Sequence, residues 1–313
     1  MSRTTIRSMG SQVERAAPAG ADWWQPGAVL GAAGLTIALW ALTPVTTRIA
    51  SAEMDGVSIG LVRTIGAGVL AAFVLLAWRI APPSGRRQWA LVLLSAAGSF
   101  AIGPVLFSFG TAATSASHAA LIMASMPLFA GIIAAAMDRQ WPSWVWCAGA
   151  GLALVGEAAL IGLRGNFAAP EATLTGDIYV LIGCIAWAGG FVAGAQVTKE
   201  IGPWRATFWA LVLGSVALSP LAAVYFPTVR WGTLSPLAWV CLAHISLGAS
   251  LVAYICWFWA MARGGIARVA VLQFAQAPLA LVFAVVILAE RVTVGLAVAA
   301  IAIVAGIVVA RRR

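Results

Sequence analysis

The feature that most constrains this chain is a series of ten apolar runs, each close to the length needed to cross a lipid bilayer. A spanning helix needs about 20 mostly apolar residues, because the hydrocarbon core is about 30 Å thick. The runs cover residues 27–49, 56–79, 89–110, 114–137, 142–163, 175–198, 204–226, 235–261, 265–288 and 292–311. The pattern predicts an all-α polytopic membrane protein with ten transmembrane helices.

The composition supports this interpretation and excludes several classes of protein. Hydrophobic residues make up 62% of the chain and charged residues only 9%, with a formal net charge of +9. Soluble domains are nearer half apolar and a quarter charged. We therefore exclude a disordered chain, an ordinary cytosolic enzyme and a nucleic-acid-binding domain, and we expect no nucleic-acid partner.

The basic residues are distributed unevenly between alternate loops. Fourteen of the 19 lie in the two ends of the chain and in every second loop, while the other loops hold four and Arg63 lies inside a run. Because cytoplasmic loops of membrane proteins carry the excess of Lys and Arg, both termini should face the cytoplasm. The sequence thus predicts a multi-pass protein of a bacterial-type inner membrane, with residues 1–26 as a cytosolic tail.

The two halves of the chain resemble each other. Trp40 in the first run corresponds to Trp187 in the sixth, and residues 119–128 correspond to 270–279 at nearly the same offset. Each half holds five runs, an odd number, so the second copy enters the membrane inverted. Inverted repeats of this kind build transporters with a substrate site near the bilayer midplane. The predicted division is 1–26 tail, 27–163 first repeat, 164–174 linker and 175–313 second repeat.

The five-plus-five pattern, the spacing of Trp40 and Arg48, Arg63 in the second run, and the A-A-L-I-x-x-x-x-P-L stretch at 119–128 carry a family resemblance. Over about residues 27–311 the chain resembles the EamA-type drug/metabolite transporter superfamily. That resemblance implies ten helices, export of metabolites or drugs, a cavity lined by spans 1–4 and 6–9, and peripheral spans 5 and 10. Within the superfamily the chain is similar to the YddG group, which exports aromatic amino acids.

Arg63 is the most informative single residue, because it lies about eight residues into its run. A charge at the centre of a spanning helix costs about 2.5–3.5 kcal/mol on insertion scales. Binding of a substrate carboxylate would explain that cost. The structural alternative is pairing with helix carbonyls or with Glu157.

The other candidates for substrate binding are aromatic and polar residues within the runs. Paired tryptophans from the two repeats could hold a planar ring between them, although packing explains them equally well. Amides in hydrocarbon must face protein or water, and His118 is either a satisfied helix residue or a proton site. The candidates are Trp40, Arg63, His118, Tyr179, Trp187, Tyr254, Trp257, Gln273 and Gln276.

Two further roles follow from the sequence. Glu157 is the one carboxylate that we expect well inside a span, so Glu157 and His244 are candidates for proton coupling, with snorkelling to the interface as the alternative for Glu157. The scarcity of such carboxylates favours facilitated diffusion. Pro44, Pro127 and Pro278 interrupt apolar runs and are candidate bending points for gating, with static kinks as the alternative.

No catalytic constellation, metal-binding cluster or nucleotide motif stands out in the sequence, so we predict neither an enzyme nor a cofactor. The predicted function is secondary transport, by alternating access, of aromatic or other apolar amino acids or similar metabolites out of the cell. The expected partners are that small molecule and the bilayer, with no obligate protein partner. The alternatives are a multidrug or organic-cation exporter and, in another class, a structural or sensory membrane protein.

Overall fold

A computed structural model describes residues 26–138, 143–162, 172–264, 272 and 275–310, and the regular structure of these residues is entirely helical. The predicted fold class, a polytopic all-α membrane protein, is confirmed. Seven described helices are long and apolar enough to cross a membrane: Gly27–Ala50, Gly56–Ala77, Arg86–Ala112, Ala116–Met137, Leu174–Ile201, Trp204–Thr228 and Pro236–Trp257. Three shorter apolar helices have the bounds Trp144–Gly162, Gln276–Leu288 and Val294–Ala310. We number all of these as spans 1–10 in chain order.

Spans 1 and 4 are each broken near the middle, and a proline follows each break. Span 1 is interrupted at Leu42 and restarts with Pro44 in its first turn, and span 4 is interrupted at Ser125 and restarts with Pro127. Pro278 is likewise the third residue of the described helix of span 9. A proline in the first turn breaks no helical hydrogen bond, because the N–H that it lacks would have had no partner there. Whether these sites bend during transport stays a prediction.

Spans 3 and 8 each contain a π-helical segment flanked by α-helix. A π-helix closes i→i+5 hydrogen bonds, and such segments occur frequently at functional sites. The segments occupy corresponding middle parts of the third span of each half. The helices of span 3 are Arg86–Ser95, Ala96–Ile102 (π) and Gly103–Ala112, and those of span 8 are Pro236–Ala243, His244–Val252 (π) and Ala253–Gly264.

The main contacts between the two halves recur when the halves are exchanged. Span 2 packs against span 7, span 4 against span 9, and span 5 against span 10. Span 1 packs against spans 8 and 9, and span 6 packs against spans 3 and 4. Spans 5 and 10 contact mainly each other, which agrees with the peripheral position that the family resemblance implies.

We name the two ends of the bundle by residues that they contain. The His118 end holds the described loops at 51–55, 113–115 and 229–235, and the Arg87 end is opposite. At the Arg87 end, Arg87 forms an exposed salt bridge with Glu200.

Glycines bring spans 2, 3 and 6 together at the His118 end. A Cβ on Gly60 would lie 2.6 Å from the Cα of Val105, and a Cβ on Gly110 would lie 2.6 Å from the carbonyl oxygen of Gly176. Real Cβ atoms do not approach a backbone this closely. Small residues therefore let these helices pack backbone to backbone, as is common inside membranes.

Candidate functional site

A cavity lies at the centre of the bundle, among spans 1, 2, 4, 6, 8 and 9. The space between its side chains, including the part open to solvent, is about 340 Å³. Five of the predicted substrate-binding residues line the cavity together with four residues that the sequence did not indicate. The lining residues are Trp40, Arg63, Trp187, Tyr254 and Gln276, with Thr43, Met123, Met126 and Phe191.

Arg63 supplies the positive charge of the cavity. Its side chain is 2% exposed, its Nε donates to the Ser250 hydroxyl at 3.1 Å, and its guanidinium carbon lies 4.7 Å from the ring centroid of Trp187. Its terminal NH1 group has no hydrogen-bond partner. Among the side chains that the structure describes, no carboxylate lies within ion-pair distance of Arg63. The guanidinium thus retains unused donor capacity at the cavity.

The π-helical segment of span 8 positions two of the polar contacts at the cavity. The Ser250 hydroxyl donates to the carbonyl of Ile245, five residues earlier, at 2.9 Å and also accepts from Arg63. The neighbouring carbonyl of Ala249 accepts from the indole N–H of Trp40 at 2.9 Å. The irregular turn therefore fixes both Arg63 in span 2 and Trp40 in span 1.

Aromatic rings form the walls of the cavity. Tyr254 contacts Trp40 edge to face at 5.3 Å between ring centroids, and Phe191 stacks on Tyr254 at 6.1 Å with an interplanar angle of 17°. Trp257 packs on Trp40 at 5.5 Å but does not line the cavity. The walls thus offer flat apolar surfaces beside the Arg63 charge.

The two predicted glutamines differ in what the structure shows of them. The Gln276 amide donates weakly to the sulfur of Met123 at 3.7 Å, and both residues line the cavity. Gln273 lies outside the described residues.

His118 and Tyr179 lie away from the cavity, towards the His118 end. Tyr179 is half-buried and contacts Phe109 edge to face at 4.7 Å. His118 is fully buried, and its Nδ1 lies 3.0 Å from Oδ2 of Asp177. The Oδ1 atom of Asp177 accepts from the hydroxyl of Thr114 at 2.6 Å.

Asp177 did not stand out in the sequence, and its burial shows that Glu157 is not alone as a carboxylate inside a span. Asp177 lies in the first turn of span 6, where acids commonly complement the helix dipole, so the position looked ordinary. An available signal was that Asp177 falls inside an apolar run rather than in a loop. The side chain of Glu157 lies outside the described part of the structure.

Both ring nitrogens of His244 have a hydrogen-bond partner. Its Nδ1 lies 3.0 Å from the Thr46 hydroxyl and its Nε2 lies 3.1 Å from the carbonyl oxygen of Leu39. These two partners lie on either side of the break in span 1, so His244 braces that break from span 8. Its suggested role in proton coupling stays a prediction.

Metal binding has no candidate in the part of the chain that the structure describes, because no group of three or more His, Cys, Asp and Glu side chains converges there. The cavity instead combines one cation, a few polar groups and aromatic walls. These are the groups by which a pocket can orient a small molecule that carries an anionic group and an apolar part.

Comparisons with known proteins agree with this architecture. The sequence profile of the EamA-like transporter family matches the chain twice, over residues 27–162 and 174–312. The chain is 32% identical to the uncharacterized transporter YdeK of Bacillus subtilis (strain 168) over 85% of this chain and 91% of that protein. It is 26% identical to a probable terminal-alkyne amino-acid exporter of Streptantibioticus cattleyicolor, over 82% of this chain and 84% of that one.

A crystal structure of a protein with 22% sequence identity superposes with a TM-score of 0.60, covering 92% of this chain and 97% of that one. At this level of identity the likeness shows the fold alone. The two profile matches cover most of the chain, and the YdeK match spans most of both proteins. The chain is therefore a member of the EamA-like transporter family.

Proposed function

We propose that this transporter exports amino acids with aromatic or other apolar side chains, by alternating access at the central cavity. The observation that carries the proposal is the buried Arg63, whose NH1 group lacks a partner beside a wall of aromatic rings. The protein would lie in a bacterial inner membrane with both termini in the cytoplasm, because the basic loops alternate in that sense.

The chemistry of the cavity suits a substrate carboxylate. A guanidinium binds a carboxylate through charge-assisted hydrogen bonds, about twice as strong as neutral ones, and these bonds would use the donor left free on Arg63. The apolar side chain of the substrate would then lie against Trp40, Tyr254 and Phe191.

The pattern of packing supports alternating access. The two halves match the same family profile, and the main contacts between them recur with the halves exchanged. Two inverted repeats could rock against each other around a central site, exposing it first to one side and then to the other. The similarity to a probable amino-acid exporter supports the choice of substrate class.

An organic-cation exporter is the competing function. Aromatic rings attract cations, so the walls alone would permit it. Arg63 opposes it, because a buried guanidinium repels a second cation, and none of the described residues that line the cavity is an acid.

The test compares two solutes that differ mainly by one carboxylate. Purified protein in liposomes would be assayed for uptake of labelled phenylalanine and of 2-phenylethylamine, without an ion gradient and with empty liposomes as control. We expect saturable uptake of phenylalanine only. In R63Q the concentration for half-saturation by phenylalanine should rise about 10-fold or more, since hydrogen bonds to charged groups contribute about 1.5–3 kcal/mol.

R48Q is the matched control, because Arg48 is an arginine of span 1 that binds the carbonyl of Ala112 outside the cavity. Its half-saturating concentration should match that of the parent protein. Uptake of 2-phenylethylamine without phenylalanine would replace the amino-acid proposal by the organic-cation function. If R63Q and R48Q raise the half-saturating concentration of phenylalanine by the same factor, Arg63 does not bind the substrate.

A further inference from the structure

We propose that the central cavity recognises its substrate through the carboxylate alone, and that carboxylates without an ammonium group bind there more tightly than the corresponding amino acids. The chemical class is a net anion with an apolar body, such as an arylalkyl carboxylate or an amino acid whose amino group is acylated. The inference deepens the proposed function and rests on it in one respect, namely that Arg63 binds the carboxylate of the substrate.

The six spans that surround the cavity contain very few acidic residues. The whole sequence has ten Asp and Glu residues, and only Asp177 and Glu200 fall within spans 1, 2, 4, 6, 8 and 9. Both belong to span 6, in its first and last turns, and Asp138 directly follows the end of span 4. The sequence between spans 8 and 9, residues 265–275, contains no acidic residue. The cavity therefore has few possible sources of a negative charge.

These three acids lie far from the cavity along their helices. An α-helix rises about 1.5 Å per residue, so Asp177 lies about 15 Å from Trp187, the first lining residue of span 6. By the same rise, Glu200 lies about 14 Å beyond Phe191, the last lining residue of that span. Asp138 lies about 18 Å beyond the lining residue of span 4 that is nearest to it in sequence. Their carboxylates thus belong to the ends of the bundle.

The polar groups that the described cavity offers to an ammonium are neutral. The Thr43 hydroxyl donates to the carbonyl of Leu39 at 3.3 Å, and the Gln276 amide donates weakly to the sulfur of Met123 at 3.7 Å. Apart from these groups and Arg63, the described lining consists of aromatic residues and methionines. An ammonium bound in this part of the cavity has no counter-ion except the carboxylate of its own molecule.

The net charge in the filled cavity differs between the two classes of substrate. Arginine stays protonated in proteins, so Arg63 contributes +1. A carboxylate without an ammonium contributes −1 and makes the sum zero, whereas a zwitterionic amino acid contributes nothing and leaves +1. Burial of a net charge away from water is costly, and the guanidinium also repels the ammonium. Both effects favour the anion.

The test compares ligands that share a phenyl ring and differ in charge. Purified full-length protein in detergent would be unfolded thermally at about pH 7 over a concentration series of each ligand, because a ligand of the folded state raises Tm once its concentration exceeds Kd. We expect the apparent Kd of 3-phenylpropionate to be about 10-fold or more below that of phenylalanine, since nearby like charges repel strongly at protein dielectric constants. N-acetylphenylalanine, a second anion, should also bind more tightly than phenylalanine.

Neutral 3-phenylpropionamide separates charge from hydrophobicity, because it lacks the ammonium but also lacks the carboxylate. Its apparent Kd should be about 10-fold or more above that of 3-phenylpropionate, as expected when a charged hydrogen bond is lost. In R63Q the two ligands should bind about equally, and binding of the amide should match that of the parent protein, which shows that the variant is folded. R48Q is the matched control and should keep the preference for the anion.

The preference should also respond to an acid added to the cavity. Q276E places a carboxylate among the lining residues and should bring the apparent Kd of phenylalanine down to that of 3-phenylpropionate or below it. Q196E is the matched control, because the Gln196 amide also faces a methionine sulfur, that of Met137 at 3.9 Å, but lies outside the cavity lining. The parent preference should persist in Q196E.

Each outcome decides for or against the inference. Equal apparent Kd values for 3-phenylpropionate and phenylalanine in the parent protein would overturn it, and so would a preference for the anion that persists in R63Q. If phenylalanine is still taken up by liposomes in that case, the proposed function stands without the inference. If the anions bind through Arg63 while phenylalanine neither binds nor is transported, the amino-acid proposal fails alone.

Discussion

At the His118 end, glycines hold spans 2, 3 and 6 backbone to backbone, whereas the glycines of span 1 near the Arg87 end make no such contacts. A Cβ on Gly176 would lie 2.7 Å from the backbone of Ala113, but one on Gly27, Gly31 or Gly34 would meet nothing within 4 Å among the described residues. Span 6 and span 1 are corresponding spans of the two halves, but their glycines lie at different positions: the offset between Trp40 and Trp187 aligns Gly176 with the buried Val29.

This difference in glycine contacts indicates which end of the structure is closed. Helices in contact through glycine backbone cannot shift without opening a gap, so the His118 end is sealed by spans 2, 3 and 6. Among the described residues, spans 7 and 8 contact each other much less than the corresponding spans 2 and 3 do. Relative movement of spans 7 and 8 at the Arg87 end would therefore break fewer of the described contacts than movement of spans 2 and 3 at the His118 end.

The largest effect should come from filling a glycine contact at the closed end. G60A places a Cβ 2.6 Å from the Cα of Val105 and forces spans 2 and 3 apart. Overpacking costs about 1–3 kcal/mol, which lowers Tm by roughly 2–4 °C per kcal/mol. G31A is the matched control and should leave Tm unchanged or slightly higher, since Ala favours a helix by about 0.5–1 kcal/mol over Gly. Equal Tm values for G60A and G31A in detergent would contradict the difference in glycine packing between the two ends.

A smaller loss of thermal stability is expected when Glu290, in the second half, no longer caps span 4 in the first half. The Glu290 carboxylate accepts from the N–H groups of Ala116 and Ser117, at 2.7 and 2.9 Å, and so caps span 4. E290A should cost about 1 kcal/mol, the usual contribution of a helix cap. E290Q retains one oxygen acceptor and should fall between E290A and the parent in thermal unfolding. A parent-like Tm for E290A would show that this cap does not hold the closed end.

Breaking the ion pair at the Arg87 end should lower Tm less than G60A or E290A does. The Arg87 and Glu200 side chains are 70% and 27% exposed, and exposed pairs contribute about 0–1 kcal/mol because water and salt screen them. E200Q should therefore change Tm by little, and 0.5 M NaCl should remove the remaining difference from the parent. A salt-resistant loss as large as that of G60A would mean that the Arg87 end is held as firmly as the other.

The smallest effect concerns the loop between spans 1 and 2 at the closed end. Hydrogen bonds from the hydroxyl and the N–H of Ser235 lower the pKa of Glu53 from its ordinary value of 4.5. Stability from this carboxylate is therefore present above pH 4.5 and is lost as the pH falls through the lowered pKa. E53Q should be slightly less stable than the parent at pH 7, and the difference should shrink as the pH falls below 4.5. A difference that does not shrink as the pH is lowered would assign the effect to something other than the charge.

The sequence predicted the fold and much of the cavity, because both depend on general costs rather than on detailed packing. Apolar runs of sufficient length must span the bilayer, and a charge such as Arg63 inside a run needs a polar or aqueous environment. The same reasoning placed Trp40 and Trp187 in equivalent spans, and both line the cavity. Their role in binding stays a prediction.

Contacts that depend on the tertiary register were beyond reach of the sequence. Tyr254 and Trp257 lie three residues apart, yet Tyr254 lines the cavity and Trp257 packs behind Trp40. The partnership of His118 with Asp177 depends on which turns of spans 4 and 6 come together. Hydrophobic periodicity does not encode that choice when nearly every position of a span is apolar.

The π-helical turn of span 8 has a consequence for how this helix can change over evolution. Such a turn accommodates a residue that an α-helix would not, and each residue of an α-helix advances about 100° around the axis. Deleting one residue from 244–252 would let a regular helix run through the membrane, but would rotate all that follows by about that angle. Tyr254 would turn away from Trp40, so the more regular helix would be the one that loses its cavity wall.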